Sequence, residues 1–159
     1  MTSTSKRKPK VTVDIQRPYA LTGFIPTDKE IKKWAKLALN EQTHTTELTV
    51  RLVSIEEMTQ LNQQFRSKKG PTNVLSFPFE TPANVQSALL GDIIICVDVV
   101  NTEAQQQRKS PSAHWAHMII HGVLHLLGHD HIEPAEAETM ETIEIMLMRN
   151  LGFTNPYET

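Results

Sequence analysis

The stretch HGVLHLLGHDH, residues 121–131, determines how this chain folds around its most reactive side chains. His121 and His125 are four residues apart in an apolar helical pattern, so they lie one turn apart on the same helix face. Gly128 is expected to end this helix in a left-handed conformation, after which the chain turns back and brings His131 to the pair. Three neutral nitrogen ligands leave a fourth tetrahedral position open, which is typical of a catalytic zinc site.

The chain has seven histidines, and six of them cluster around this stretch. His117 shares the helix face, but it lies about 12 Å from His125 along a helix that rises roughly 1.5 Å per residue, so one ion cannot bind both. His131 is predicted as the third ligand, and His129, directly after the glycine turn, ranks second. His114 and His117 are expected to be hydrogen-bond donors behind the ligands, core residues or RNA contacts.

The residue at position 122 distinguishes this motif from the motif of zinc peptidases. Zinc peptidases of the HExxHxxGxxH type have the same spacing of histidines and glycine, with a glutamate general base directly after the first histidine. Here that residue is Gly122. We expect this glycine to leave room at the metal for a tetrahedral group such as a phosphate. The sequence therefore argues against a peptidase and leaves phosphodiester hydrolysis open.

A second block, FRSKKGPTN, begins at residue 65, at the end of a helix predicted to open with a capping box at Ser54 and Glu57. Arg66 ends that helix, where the helix dipole favours a cation. With Lys68 and Lys69 it forms a basic loop suited to phosphate oxygens, which arginine can bind bidentately. Such a loop alone is more often plain surface, but beside a zinc site we interpret it as functional. The apolar face of the helix is predicted at Met58, Leu61 and Phe65.

These motifs resemble those of the YbeY family of bacterial zinc-dependent endoribonucleases. The resemblance rests on FRSKKGPTNVLSFPFE, LLGDIIIC and AHWAHMIIHG, which stand in the family's order before the rest of the histidine segment, and it runs from about Val11 to the NPY motif at 155–157. By motif position, the family's zinc ligands are matched by His121, His125 and His131. Arg66 resembles its basic active-site residue.

The sequence departs from the family at two places. His129 stands where the family commonly has tyrosine, so His129 stays open as a competing metal ligand. Lys69 and Gly70 replace a more usual acidic and basic pair in the loop after Arg66.

The resemblance implies an α+β, zincin-like single domain with a small mixed β-sheet and a metal-binding helix that ends at Gly128. It also implies a single-strand-specific endoribonuclease with one zinc ion per chain, which acts in small-subunit ribosomal RNA maturation and ribosome quality control. Its partners would be ribosomal RNA, the small ribosomal subunit and assembly factors, without DNA or a membrane. Two alternatives stay open: a non-enzymatic ribosome-assembly factor with a structural zinc, and a metallopeptidase with a carboxylate from Glu80 or Asp130.

Length and composition agree with one domain. The chain has 159 residues, enough to bury a core without crosslinks, and we assign 11–159 to the domain and 1–10 to a basic, disordered tail. The single cysteine, Cys96, excludes an intramolecular disulfide framework. No stretch approaches the roughly 20 apolar residues of a membrane span, and the N-terminus lacks the apolar region of a signal peptide. The cytoplasm is therefore expected.

A formal net charge of −2 does not indicate a chain that binds nucleic acid over its whole surface. Binding would be focused on the Arg66 loop, on Arg108 with Lys109, or on the basic tail. Acidic residues concentrate on or just before the last predicted helix, at Glu133, Glu136, Glu138, Glu141 and Glu144. This separation of charge would steer RNA toward one face.

Hydrophobic periodicity predicts the order strand, helix, strand, helix, strand, strand, helix, helix, helix. A capping box at Thr27 and Glu30 opens the first helix, whose buried face is predicted at Ile31, Trp34, Ala35 and Ala38. The last helix begins at Pro134. Its inward side chains are predicted at Met140, Ile143, Met146 and Leu147.

Overall fold

Strands and helices follow one another along the chain in the predicted order. The computed structural model describes residues 9–17, 20–82, 85 and 87–158, and in this part of the chain it contains four strands and five helices. The strands are β1 (Val11–Gln16), β2 (Thr46–Val53), β3 (Val74–Pro78) and β4 (Leu89–Cys96). The helices are α1 (Asp28–Ala38), α2 (Ile55–Arg66), α3 (Val97–Gln106), α4 (Pro111–Leu126) and α5 (Pro134–Asn150). Most of the predicted basic tail lies outside the described residues.

The four strands form one mixed sheet in the order β1-β2-β4-β3. β1 and β4 both pair with β2 in parallel, whereas β3 pairs with β4 in the antiparallel sense and forms an edge. A large core unites one face of the sheet with side chains of α1, α4 and α5. A smaller core on the opposite face includes Met58 of α2. The predicted α+β class with a small mixed sheet is confirmed.

Helix α4 is the central element of the large core. Trp115, Ile119, Ile120 and Val123 are completely buried in it, and the helix contacts α1, α3, α5, β3 and β4. Since a helix that is apolar on several faces must lie inside a protein, α4 is held from several sides. Even so, no helix among the described residues is long and apolar enough to cross a lipid bilayer.

The two ends of α4 follow from local sequence. The Ser110 side chain accepts a hydrogen bond from the Ala113 amide at the N-terminus, next to Pro111 in the first turn. At the C-terminus, Gly128 has φ +98° and its amide donates to the carbonyl of His125 at 3.0 Å. The next amide, that of His129, donates to the carbonyl of Leu124 at 3.0 Å. This pair of bonds is a Schellman motif, and the predicted end of the helix at the glycine is confirmed.

The predicted start of α1 and end of α2 are also confirmed. Thr27 and Glu30 form a reciprocal capping box at α1. Arg66 is the last residue of α2, and Ser67 follows it in a left-handed conformation with φ +53°. The chain therefore leaves α2 sharply after Arg66.

Two predicted core positions are wrong. Met146 is 58% exposed because it lies six residues after Met140, on a different side of α5. Phe65 is 56% exposed, with its ring against the edge of Phe77 at a centroid distance of 5.1 Å. On the same helix as Met146, Glu144 is buried.

Replacing Gly91 by alanine should destabilise the sheet edge that supports α4. A Cβ atom at Gly91, where φ is +150°, would lie 2.3 Å from the Phe77 carbonyl oxygen and 2.8 Å from the Leu126 side chain. We expect a loss of several kcal/mol in the free energy of unfolding, against about 1 kcal/mol for an average substitution, measured by urea denaturation.

Gly70→Ala is the matched control. Gly70 also has a positive φ, +80°, but a Cβ atom added there would meet no neighbouring atom within 4 Å. It should lose only the backbone cost of about 1–2 kcal/mol. Equal losses in the two variants would show that the close approach of Phe77 to Gly91 is not a constraint.

Candidate metal centre

Three imidazoles converge where α4 ends. Ligand nitrogens of His121, His125 and His131 all lie within 4.8 Å of one another. The ring centroids of His121 and His125 are 4.7 Å apart. The ring centroid of His131 lies 5.4 Å from that of His121 and 5.0 Å from that of His125. A tetrahedral zinc ion would hold such nitrogens about 3.3 Å apart, so small side-chain rotations would complete the set. The donors therefore suit a metal ion in number and type.

The turn after Gly128 selects among the remaining histidines. The turn directs His131 to the pair on α4. Among the described residues, two groups of side chains bring three potential ligand atoms within 4.8 Å of one another, and His129 belongs to neither group. The amide of His129 is used to end α4. The structure thus brings together the three histidines that the sequence ranks first.

The surroundings of His125 favour the neutral form that metal binding needs. Burial lowers the pKa of His125, and the neighbouring His121 and His131 lower it further because nearby positive charges repel. Neutral His125 therefore keeps a lone pair available near pH 7. Nδ1 of His121 lies 3.1 Å from the Oε2 atom of Glu144, so its Nε2 atom is the nitrogen left for a metal.

A cleft of about 440 Å³ brings Arg66 into the same space as the three histidines. Arg66 reaches it from the end of α2, and its other walls are formed by β3 and by Asp130 with Ile132. Lys69 instead lines a separate cavity on the surface of α2. Of the predicted basic loop, only the arginine lines this cleft among the described residues.

Comparison with known proteins identifies the family of this chain. The model of the family described as "Endoribonuclease YbeY" matches residues 23–152. The chain belongs to the YbeY family. The resemblance noted from the motifs is thereby confirmed, and membership supports a role as a metal-dependent endoribonuclease in ribosomal RNA processing.

The fold of this YbeY-family chain is similar to the solution structure of TM1509 from Thermotoga maritima. The two have a TM-score of 0.55 and 23% sequence identity, and the match covers 92% of this chain and 99% of the other. At this level of identity the likeness concerns the fold, which extends over nearly the whole length of both chains.

Gly122 has a different role from the one expected. It faces β4, where a Cβ atom would lie 3.0 Å from the Ile93 side chain. Its carbonyl accepts a hydrogen bond from the Ser76 hydroxyl at 3.2 Å. The glycine therefore allows α4 to pack closely on the sheet, and the expectation that it leaves room for a phosphate is wrong.

Asp130 and Glu80, the two carboxylates considered as the general base of a peptidase, line different cavities in this YbeY-family chain. Asp130 lines the cleft, and its Oδ1 atom accepts a hydrogen bond from the His131 amide at 2.7 Å. Glu80 lines a different cavity, near β1 and β2. Only Asp130 of the two is close to the histidines.

Glu144 was expected among the surface acids of α5, and that expectation is wrong. It is 1% exposed, and its Oε2 atom accepts hydrogen bonds from His117 at 2.6 Å and from His121 at 3.1 Å. Its Oε1 atom accepts one from the Tyr157 hydroxyl at 2.6 Å. Burial alone would raise the pKa of Glu144, but these hydrogen bonds outweigh it and lower the pKa to about 2. The carboxylate is ionised at neutral pH.

Sequence reasoning missed Glu144 although a signal was present. The residue lies four positions after Met140 and three before Leu147, on the stripe that α5 turns inward. A charged residue on an apolar stripe needs buried partners. Six histidines near α4 were the obvious candidates for those partners.

His114 and His117 are core residues with carboxylate partners. They are 3% and 7% exposed, which excludes them as direct RNA contacts in this structure. Nε2 of His114 donates to Glu103 at 2.9 Å, and Nε2 of His117 donates to Glu144. Hydrogen bonds from His114 and Asn73 lower the pKa of Glu103, although burial opposes them.

The basic pair Arg108 and Lys109 lies away from the cleft. Both residues line a larger cavity of about 810 Å³, which shares no lining residue with the cleft. The Lys109 ammonium donates to the carbonyl of Pro156. It therefore fastens the segment that carries Tyr157.

The metal-free protein should lose stability in acid because Glu144 must take up a proton. Its pKa falls from about 4.5 to about 2 on folding. Because the pKa is lowered, the ionised Glu144 carboxylate contributes about 3 kcal/mol to the free energy of unfolding. This contribution is complete above pH 4.5 and is lost as the pH falls toward 2. Urea unfolding in chelator should therefore show a shallower loss below pH 4.5 for Glu144→Gln than for the parent chain. Parallel pH profiles would contradict this assignment.

Proposed function

We propose that this chain is a single-strand-specific, zinc-dependent endoribonuclease in small-subunit ribosomal RNA maturation and ribosome quality control. The observation that supports it is the shared cleft, in which three converging imidazoles and Arg66 line the same space. Membership of the YbeY family supports the endoribonuclease chemistry.

In this proposal His121, His125 and His131 bind one zinc ion per chain. Three protein nitrogens leave a position open for water or a phosphate oxygen. A zinc ion there would supply a Lewis acid that polarises phosphate and lowers the pKa of water. Burial and the neighbouring imidazoles keep His125 neutral at physiological pH by lowering its pKa, so the chain itself needs no change of protonation at that ligand.

Arg66 supplies the positive charge that a phosphodiester requires. Its guanidinium can donate two parallel hydrogen bonds to phosphate oxygens. Negative charge grows on these oxygens as the phosphodiester is attacked, so a donor at the end of α2 stabilises the transition state more than the ground state. Arg66 is exposed and lines the open side of the cleft, where a polynucleotide can reach it.

The size of the cleft favours a single strand. Its volume of about 440 Å³ falls in the range of about 300–1,000 Å³ for small-ligand sites. A space of this size suits one unpaired nucleotide that reaches toward the histidines. Unstacked bases in single-stranded regions are also what proteins recognise most readily in RNA.

The charge distribution supports a defined direction of approach. The exposed glutamates of α5 and its N-cap repel a polyanion, and they are Glu133, Glu136, Glu138 and Glu141. Arg66 attracts it to the cleft, so long-range forces orient RNA before contact. The small ribosomal subunit and its assembly factors in the cytoplasm are the setting that this substrate implies.

Removing one proposed ligand should abolish metal binding. Purified His125→Ala should contain almost no zinc by elemental analysis, because two remaining imidazoles make a much weaker site. His129→Ala is the control, since this neighbouring histidine lies outside the cluster; it should retain about one ion per chain. A full complement of zinc in His125→Ala would show that the ligands are misassigned.

Arg66→Ala should keep the metal and lose RNA cleavage. Loss of one transition-state donor typically lowers the rate by about 10²–10³-fold, which is measured on single-stranded ribosomal RNA with a duplex of the same sequence alongside. Lys69→Ala removes a nearby cation that lies outside the cleft, so it should cleave at nearly the parental rate. Equal cleavage by the parent chain, Arg66→Ala and His125→Ala would indicate a contaminating nuclease and would favour a non-enzymatic assembly factor.

A further inference from the structure

We propose that Glu144 is a positioning residue that fixes the metal ligand His121 in one tautomer and one ring orientation. The inference rests on the metal centre proposed above and concerns a carboxylate that does not belong to its ligand set. Glu144 is 1% exposed and lies on α5, and it reaches His121 on α4 from behind the cleft.

The hydrogen bond between the two residues determines which nitrogen of His121 is free. The Oε2 atom of Glu144 lies 3.1 Å from Nδ1, and an ionised carboxylate can only accept hydrogen bonds. A ring that keeps one lone pair for a metal therefore carries its proton on Nδ1 and its lone pair on Nε2. Histidines that bind metals usually donate their second ring N–H to such a carboxylate or carbonyl, and this partner sets the tautomer.

Glu144 is itself held in place by two other residues. His117, one turn before His121 on α4, donates to Oε2 at 2.6 Å. The Tyr157 hydroxyl donates to Oε1 at 2.6 Å from the segment after α5. With three donors around it, the carboxylate cannot rotate without breaking a buried hydrogen bond. The orientation of His121 is therefore set by two helices and the C-terminal segment together.

A second metal site is the competing interpretation. Ligand atoms of His117, His121 and Glu144 also lie within 4.8 Å of one another. Yet the 2.6 Å between His117 and Glu144 is a direct hydrogen bond. Such a contact leaves no space for an ion between the two atoms. The geometry thus favours a hydrogen-bonded network over a second ion.

The chain contains a matched control for this network. Glu103 on α3 accepts a hydrogen bond from buried His114 at 2.9 Å. This is the same type of contact between a histidine of α4 and a carboxylate. His114 belongs to neither group of potential ligands found among the described residues. Glu103 also accepts from Asn73, which lines the cleft, but it has no hydrogen bond to a proposed ligand. Glu103→Gln therefore perturbs a similar pair without removing a hydrogen bond to His121, His125 or His131.

The experiment compares Glu144→Gln with Glu103→Gln in the full chain. Zinc affinity is measured by competition with a chromophoric chelator, and the unfolding free energy of the metal-free protein is measured in parallel. Glu144→Gln should bind zinc about 10–100-fold more weakly, which is typical when a partner of a metal ligand is lost. Glu103→Gln should bind zinc almost as tightly as the parent chain while losing stability in the metal-free state, since its histidine is not a ligand. Because the unfolding free energy of each variant is known, a loss of zinc affinity caused by a misplaced His121 can be distinguished from a loss caused by unfolding.

Tyr157→Phe provides a second variant that removes only one of the three hydrogen bonds to Glu144. Tyr157 is exposed, so the variant should fold, and its zinc affinity should lie between those of the parent chain and Glu144→Gln. Nitrogen-15 NMR of labelled histidines in the zinc-bound parent should show a protonated, slowly exchanging Nδ1 on His121. That signal should exchange faster in Glu144→Gln.

The possible failures are distinguishable. Equal zinc affinity in the parent chain and Glu144→Gln would overturn the positioning role while leaving the metal centre intact. A parent chain that binds no zinc would overturn the centre itself. Two zinc ions in the parent and one in Glu144→Gln would overturn the assignment in favour of a second metal site.

Discussion

The left-handed backbone at Gly128 is the constraint on which the site depends. Two hydrogen bonds, from the amides of Gly128 and His129, close the last turn of α4 and reverse the chain immediately after His125. A residue with a side chain would resist this conformation. Because α4 is also the central helix of the large core, burial fixes its position on the sheet. The turn then needs only three further residues to bring His131 to the two histidines on the helix.

Features that depend on nearby residues could be predicted from the sequence. Helix caps, the glycine at the end of α4 and the spacing of His121 and His125 all involve residues within one or two turns of each other, so the local pattern contains the information. Arg66 could be placed at the end of α2 for the same reason. Its meeting with the histidines required the resemblance to a family, since α2 and α4 lie far apart in the chain.

Features that depend on distant contacts could not be predicted. The role of Gly122 is set by Ile93 on β4, and a sequence gives no measure of that approach. Glu144 is separated from His117 by 27 positions along the chain, and its charge resembled that of the surface glutamates around it. A glutamate can lie on an inward stripe only if other elements supply donors. The arrangement of the fold supplies them, and no local rule does.

Tyr157 lies after α5, the last helix in the described part of the chain, and its hydroxyl donates to Glu144 on that helix. Lys109 holds the segment of Tyr157 in place by donating to the carbonyl of Pro156. A ribosome adds residues from the N-terminus at roughly 5–20 per second, and domains fold as their segments emerge. The sheet and α4 can therefore assemble while the carboxylate behind His121 still lacks its last donor. The polar network is complete only after residue 157 has left the exit tunnel. The hydrogen bonds around the carboxylate behind His121 would thus be among the last contacts to form as the described residues are synthesised.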